Sequence, residues 1–174
     1  MKHAMMIIGA LLVLLMAHTS YAQPPFDCMN SQAHHAFDFW LGEWEVHDPN
    51  GVPQGQNKIM SVQNGCAVEE HWKSVSGGTG QSINYYHPGQ SRWHQLWTDG
   101  GASIIDISGN LQGDTMILEG TIFYLKQATE HPFRGSWNLL EDGRVRQFFE
   151  QEDSQGRWQT WFEGYYTRRD ATTP

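Results

Sequence analysis

Residues 37–46 read Phe-Asp-Phe-Trp-Leu-Gly-Glu-Trp-Glu-Val, FDFWLGEWEV. Four aromatic rings stand among three acids, split by the single glycine Gly42. Rings gathered this densely stabilise a chain only where they leave water. The stretch therefore reads as a short aromatic turn followed by a first strand, the plug and the beginning of a barrel.

Beyond it, turn signals arrive every eight to twelve residues: Asp48-Pro49-Asn50-Gly51, Asn64-Gly65, Gly77-Gly78, His87-Pro88-Gly89, Asp99-Gly100-Gly101, Gly113-Asp114, Glu141-Asp142-Gly143 and Ser154-Gln155-Gly156. Short runs rich in Trp, Tyr, Phe, Ile and Val lie between them, the pattern of an all-β meander. The only helical feature after the leader is a short turn at Ala33 to Leu41. About ten strands are proposed from segments at 42–48, 56–63, 66–75, 80–87, 91–98, 102–108, 114–119, 121–126, 133–139, 143–152 and 157–168. A meander this long must remove its edges, and closing into an antiparallel up-and-down barrel does so.

Alternation assigns the faces. Trp93, Gln95 and Trp97 share one side and Arg92, His94 and Leu96 the other, so the tryptophan side is placed inward. By the same test Glu70 and Trp72 go inward with Cys66 and Val68, while Glu69, His71 and Lys73 face solvent. Phe162, Gly164, Tyr166 and Arg168 alternate with Trp161, Glu163 and Tyr165. A slip of one residue across any turn would reverse these faces, and Tyr85 and Tyr86 are left open.

The chain begins differently. Lys2 and His3 precede an apolar run from Met5 to Ala17, and Ser20-Tyr21-Ala22 carries small residues at the −3 and −1 positions. This is the form of a secretory signal cleaved after Ala22, with an uncleaved anchor as the alternative. The run is short for a membrane span and no later stretch approaches one. No cysteine at the cleavage site marks a lipid-anchored end. The expected organisation is a signal peptide at 1–22, a polar tether at 23–36 and one barrel domain at 37–170, exported to the periplasm or beyond.

Without Lys2, ten basic residues face nineteen acidic ones. Such a surface repels phosphate backbones and anionic lipid, which disfavours nucleic-acid and membrane-surface roles. Cys28 and Cys66 are the only cysteines. An oxidising compartment permits a disulfide between them, the alternative being two free or buried thiols. The bond would close a loop of about 38 residues and stabilise the fold by about 3 to 4 kcal/mol. Their separation is not that of a Cys-x-x-Cys zinc or redox site.

Gly42-Glu43-Trp44 at the first strand resembles the Gly-x-Trp signature of lipocalins and the wider calycin group. In that group the Trp closes the barrel floor under an Arg from the last strand, a place that Arg168, or Arg169 as second choice, would take here. The longer set FDFWLGEWEV, GCAVEEHW, INYYHPGQSRWHQLWTDG, GRVRQFFEQ and WFEGYYTRR is similar to a large family of exported, lipocalin-like bacterial proteins that carries a domain-of-unknown-function label. The likeness runs from Phe37 to Arg169. It implies a barrel and supplies no reaction. Related nitrobindin-like barrels hold haem through a histidine near the chain's end, and the matching stretch here, Gly164 to Arg169, has none.

Four functional classes are open. A metal or haem role draws on the seven histidines beyond the leader, but His34 and His35 sit in the tether and read as solvated, and His71 and His94 alternate outward. No His-x-His, His-x-x-x-His or paired-carboxylate spacing supplies a cage, so no cofactor is expected. An enzyme would recruit Glu70, Asn84, Tyr86, Gln95, Arg146 and Gln147, with Glu70 beside Trp72 as a general base raised by burial. No nucleophile elbow or phosphate loop accompanies it. A binder of a small, partly apolar ligand would use Trp72, Tyr86, Trp93, Trp97, Phe149 and Phe162 as walls and Glu70, Asn84, Gln95 and Gln147 as polar contacts. The reading preferred is the binder. An envelope interaction protein whose aromatics fill the interior is the third alternative.

Overall fold

The computed structural model describes residues 27–169. The signal peptide, its cleavage after Ala22, the first four residues of the tether and residue 170 of the barrel range lie outside the described residues. Ten strands run β1 Gly42–His47, β2 Pro53–Val62, β3 Ala67–Ser74, β4 Thr79–His87, β5 Arg92–Asp99, β6 Ser103–Gln112, β7 Thr115–Tyr124, β8 Thr129–Leu139, β9 Val145–Glu152 and β10 Trp158–Arg168. Each pairs antiparallel with its neighbour, and β1 pairs with β10 through Trp44↔Arg168, Val46↔Tyr166 and His47↔Tyr165, so the sheet closes. Closure leaves no row of unpaired backbone groups along a sheet edge.

One break between proposed strands is not a break. The segments at 114–119 and 121–126 form the single strand β7, which runs through Gly120. A methyl group at Gly120 would strike the Asp106 carbonyl on β6. The glycine there serves close backbone approach between coiled strands rather than chain reversal.

The meander alternates its ends. The turns after β2, β4, β6 and β8 gather at the end where β1 begins, and those after β1, β3, β5, β7 and β9 gather at the other. Three 3-10 turns, Cys28–Asn30, Gln32–His35 and Asp38–Trp40, close the first end. From Cys28 onward the segment expected to be a polar tether is therefore part of the plug. His34, expected to be solvated, is buried and meets the Tyr86 ring edge-on at 5.2 Å. Burial and the neighbouring His35 hold its imidazole below the usual histidine range. Spacing misled here because adjacent polar residues in a tight turn point in different directions.

Phe37 and Trp40 drive the plug into the barrel. Phe37 stacks on Trp40 at 4.9 Å and meets Trp137 at 5.2 Å and Trp93 at 5.6 Å, all four fully or almost fully buried. Polar ties hold it in place: Trp44 Nε1 donates to the Trp40 carbonyl at 2.9 Å, Trp93 Nε1 to the Ala33 carbonyl at 3.0 Å, and Arg168 Nη1 to the Leu41 carbonyl at 2.9 Å. The Arg168 guanidinium lies 4.3 Å from the centre of the Trp44 ring. Gly42, at φ +140°, makes room for that guanidinium, which a side chain would strike. A Cys28–Cys66 disulfide fastens the plug to the turn between β2 and β3.

Candidate functional site

The closed half of the barrel is solid with aromatic rings, and the other half is hollow. A cavity of about 350 Å³ opens at the end away from the plug. That volume lies at the small end of the range of about 300–1,000 Å³ usual for ligand sites. Its walls are Trp72, Trp97, Phe149, Trp161 and Phe162; Glu70, Gln147 and Tyr166 stand at its floor; Gln54, Ser74, Gly78, Thr79, Asp99 and Gly101 form its rim.

Glycines hold the cavity open. Four wall rings lie against an inward-facing glycine: Trp72 on Gly55, Trp97 on Gly80, Phe149 on Gly135 and Phe162 on Gly164. A methyl carbon at Gly55 would stand 2.7 Å from Trp72, and one at Gly164 2.7 Å from Phe162. With no Cβ beneath them the rings settle along the wall instead of projecting into the lumen.

A β-bulge supplies the fifth ring. The register between β9 and β10 shifts between Thr160 and Phe162, leaving Trp161 outside the ladder. Trp161 was placed on the face opposite Phe162 by strict alternation, yet both residues line the cavity. The extra residue re-aims one side chain, which a period of two does not register. Trp161 is held there by its indole N–H, which donates to the Tyr124 hydroxyl at 3.0 Å.

Beneath the walls runs a continuous polar network. Gln95 donates to Asn84 Oδ1 at 2.8 Å, Asn84 donates to Ser82 Oγ at 2.9 Å, and Ser82 donates to Glu70 Oε2 at 2.7 Å. From the other side Asn57 Nδ2 donates to Glu70 Oε1 at 2.6 Å and to the Tyr166 hydroxyl at 3.3 Å, and that hydroxyl donates to Gln147 Oε1. Seven residues from the six strands β2, β3, β4, β5, β9 and β10 thus hold one another across the interior. Burial pushes the Glu70 carboxyl up to about 7, the hydrogen bonds from Asn57 and Ser82 opposing it. Burial, with the Glu70 charge nearby, also holds the Tyr166 phenol well above its ordinary value. Five buried side-chain polar atoms among the described residues have no hydrogen-bond partner; Asn57 Oδ1 and the Trp97 indole N–H are the two at this site.

The raised Glu70 carries a stability consequence. Between about pH 4.5 and 7 the folded chain keeps a proton that the unfolded chain releases, so this residue lowers stability as pH rises through that window. The slope is at most about 1.4 kcal/mol per pH unit. Glu70→Gln is expected to lack it, so urea denaturation should find the variant gaining on the wild type from pH 5 to pH 8. A constant difference between the two proteins would place the carboxyl's titration elsewhere.

Of the ten residues expected to touch a ligand, Glu70, Trp72, Trp97, Gln147, Phe149 and Phe162 line the cavity. Asn84 and Gln95 do not; they lie one layer beneath, in the polar network. Tyr86 and Trp93 stand in the closed half, where they pack under the plug beside His34 and Phe37. The register explains this, because Ser82↔Trp97, Asn84↔Gln95 and Tyr86↔Trp93 are three successive inward rungs descending from mouth to plug. Alternation sets the face, not the depth. Tyr85 points outward and stacks on His94. Arg146, considered for catalysis, pairs with Glu163 at 2.8 Å over the Phe148 ring, away from the cavity.

Tyr166 and the rim were not anticipated. Tyr166 shares the parity of Phe162 and Gly164, a signal already present in the sequence. The rim follows from the alternation of turns: once the Gly42 end is the closed one, Ser74 to Thr79 and Asp99 to Gly101 must border the mouth. Among the described residues no group of three or more His, Cys, Asp or Glu stands close enough to share a metal, and no helix is long and apolar enough to cross a membrane. No histidine is among the residues lining the cavity.

No protein-family model matches the chain, and no curated protein matches it. Among solved structures it is similar to the crystal structure of Rv2717c from M. tuberculosis, with a TM-score of 0.54 and 15% identity, over 80% of this chain and 98% of that one. At that identity the likeness is one of fold.

Proposed function

We propose that the chain is an exported barrel that binds a small, partly apolar molecule in the open half of its interior, and that it belongs with the exported lipocalin-like proteins its motifs resemble. The observation that carries this reading is the divided interior. Packing that fills one half with rings leaves about 350 Å³ in the other, bounded by aromatic faces and ending on a polar floor. Apolar walls with a few placed polar groups are the common make-up of small-molecule sites. The leader at 1–22 and the Cys28–Cys66 bond support export.

The test uses the neutral fluorescent probe N-phenyl-1-naphthylamine. The wild type is expected to bind it saturably at one site. In Gly80→Ala the new methyl displaces the Trp97 ring, and the free space is on the lumen side, so affinity should fall about tenfold or more, about 1.4 kcal/mol. The fold should persist, since overpacking costs about 1–3 kcal/mol. Absence of saturable binding to the wild type would overturn the reading.

A catalytic reading has one observation in its favour, a carboxyl near neutrality at the base of a cavity. It differs by making Glu70 indispensable to turnover of a bound molecule, with Glu70→Gln inactive but folded.

A further inference from the structure

We infer that the molecule's deep end is a hydrogen-bond donor, and that the ligands this cavity prefers are small aromatic or alicyclic amines in their protonated form, with carboxylates turned away. This rests on the binding reading above and adds the ligand's chemical class.

The charge of the lining comes first. Glu70 at the floor and Asp99 at the rim are the ionisable acids there, and no Lys, Arg or His stands among the described residues that line the cavity. An anion reaching the floor would meet the like charge of a carboxyl that is almost fully buried, where Coulomb energies are several-fold larger than in bulk. A cation would meet an acid at either end. The chain's net charge of −8 adds a long-range field of the same sign.

The walls agree with the ends. Trp72, Trp97 and Phe162 line the lumen, and an aromatic ring attracts a cation placed over its face. A wall built for a neutral hydrocarbon alone would gain nothing from a carboxyl beneath it and would bear the cost of burying one.

The floor is arranged for a donor as well. Each Glu70 oxygen accepts one hydrogen bond, from Asn57 on β2 and from Ser82 on β4, and each retains acceptor capacity. Tyr166 on β10 directs its hydroxyl proton to Gln147 on β9. Around Glu70, therefore, Asn57, Ser82, Gln147 and Tyr166 are the polar groups from the neighbouring strands, Tyr166 the one titratable group among them, and Asp99 on β5 faces the same space from the rim. An ammonium at this depth would complete the acceptor side of the network and favour the ionised carboxylate.

Isothermal titration calorimetry with three molecules of matched size, 2-naphthylethylamine, 2-naphthylethanol and 2-naphthylacetate, tests the assignment. At pH 8 the amine is expected to bind about tenfold more tightly than the alcohol, and the carboxylate about tenfold more weakly. At pH 6 the amine is still charged but Glu70 is mostly in its acid form, so the amine's advantage should shrink about tenfold. Glu70→Gln should bring amine and alcohol together at pH 8, and Asp99→Asn should narrow the same gap if the floor variant does not fold. An alcohol that binds as well as the amine, or a carboxylate that binds as well as the alcohol, overturns the amine assignment while leaving a binding cavity in place. Failure of all three to bind overturns both.

Discussion

Trp44→Ala is expected to destabilise the barrel by about 3–5 kcal/mol, the usual cost of deleting a large buried aromatic ring. For a domain of this size that corresponds to a fall in Tm of about 10 °C. Trp44 is fully buried, and three things depend on it at once. Its indole N–H satisfies the Trp40 carbonyl, its ring fills the space beside Tyr166, and its face carries the Arg168 guanidinium. Removing it leaves the junction of first and last strands without a core and the plug without its tie. Trp44→Phe keeps most of the volume and loses the hydrogen bond, so about 1–2 kcal/mol is expected. Urea unfolding of both variants checks the order, and a cost below 1 kcal/mol for the alanine variant would show that the closed end does not depend on this ring.

Loss of the Cys28–Cys66 bond should cost nearly as much by another route. The two cysteines stand 38 positions apart in the sequence, and releasing such a loop from the unfolded chain corresponds to about 4 kcal/mol in the chain-entropy model. The bond joins the plug to the β2–β3 turn, so the loosened protein should fray at the plug first while the hollow half keeps its shape. The double variant Cys28→Ala with Cys66→Ala, and the wild type treated with reductant, are expected to unfold at the same lowered urea concentration. Reductant should have no effect on the double variant. Unchanged unfolding in either would mean that the buried rings and the hydrogen bonds of Trp44, Trp93 and Arg168 hold the plug without help from the disulfide.

The barrel was legible because its signals are local. Turn dipeptides between aromatic, β-branched runs state where strands end, and a meander with so many strands has one economical way to hide its edges. The two cysteines left a single possible pairing. Which side chains meet a ligand was only half legible, because alternation reports a face and says nothing of height along the axis. Trp93 and Trp97 are equivalent by parity, yet one lies under the plug and the other walls the cavity. The bulge at Trp161 breaks the parity rule at the position where the site gains a ring. Gly120 shows the converse difficulty, since a glycine required by close strand approach carries the same letter as a glycine required by a turn. The four glycines under the wall rings are visible only once the register sets each beside its ring. Hollowness itself emerges from that pairing and from no single residue.

The division of the interior into a packed half and a ligand-accepting half is best tested by the indole N–H signals of the eight tryptophans in a proton–nitrogen NMR spectrum. On titration with neutral 2-naphthylethanol, the signals of Trp72, Trp97 and Trp161 should shift together and saturate, while those of Trp40, Trp44 and Trp137 stay in place. Signals that stay fixed throughout, or shifts confined to the tryptophans around the plug, would contradict it.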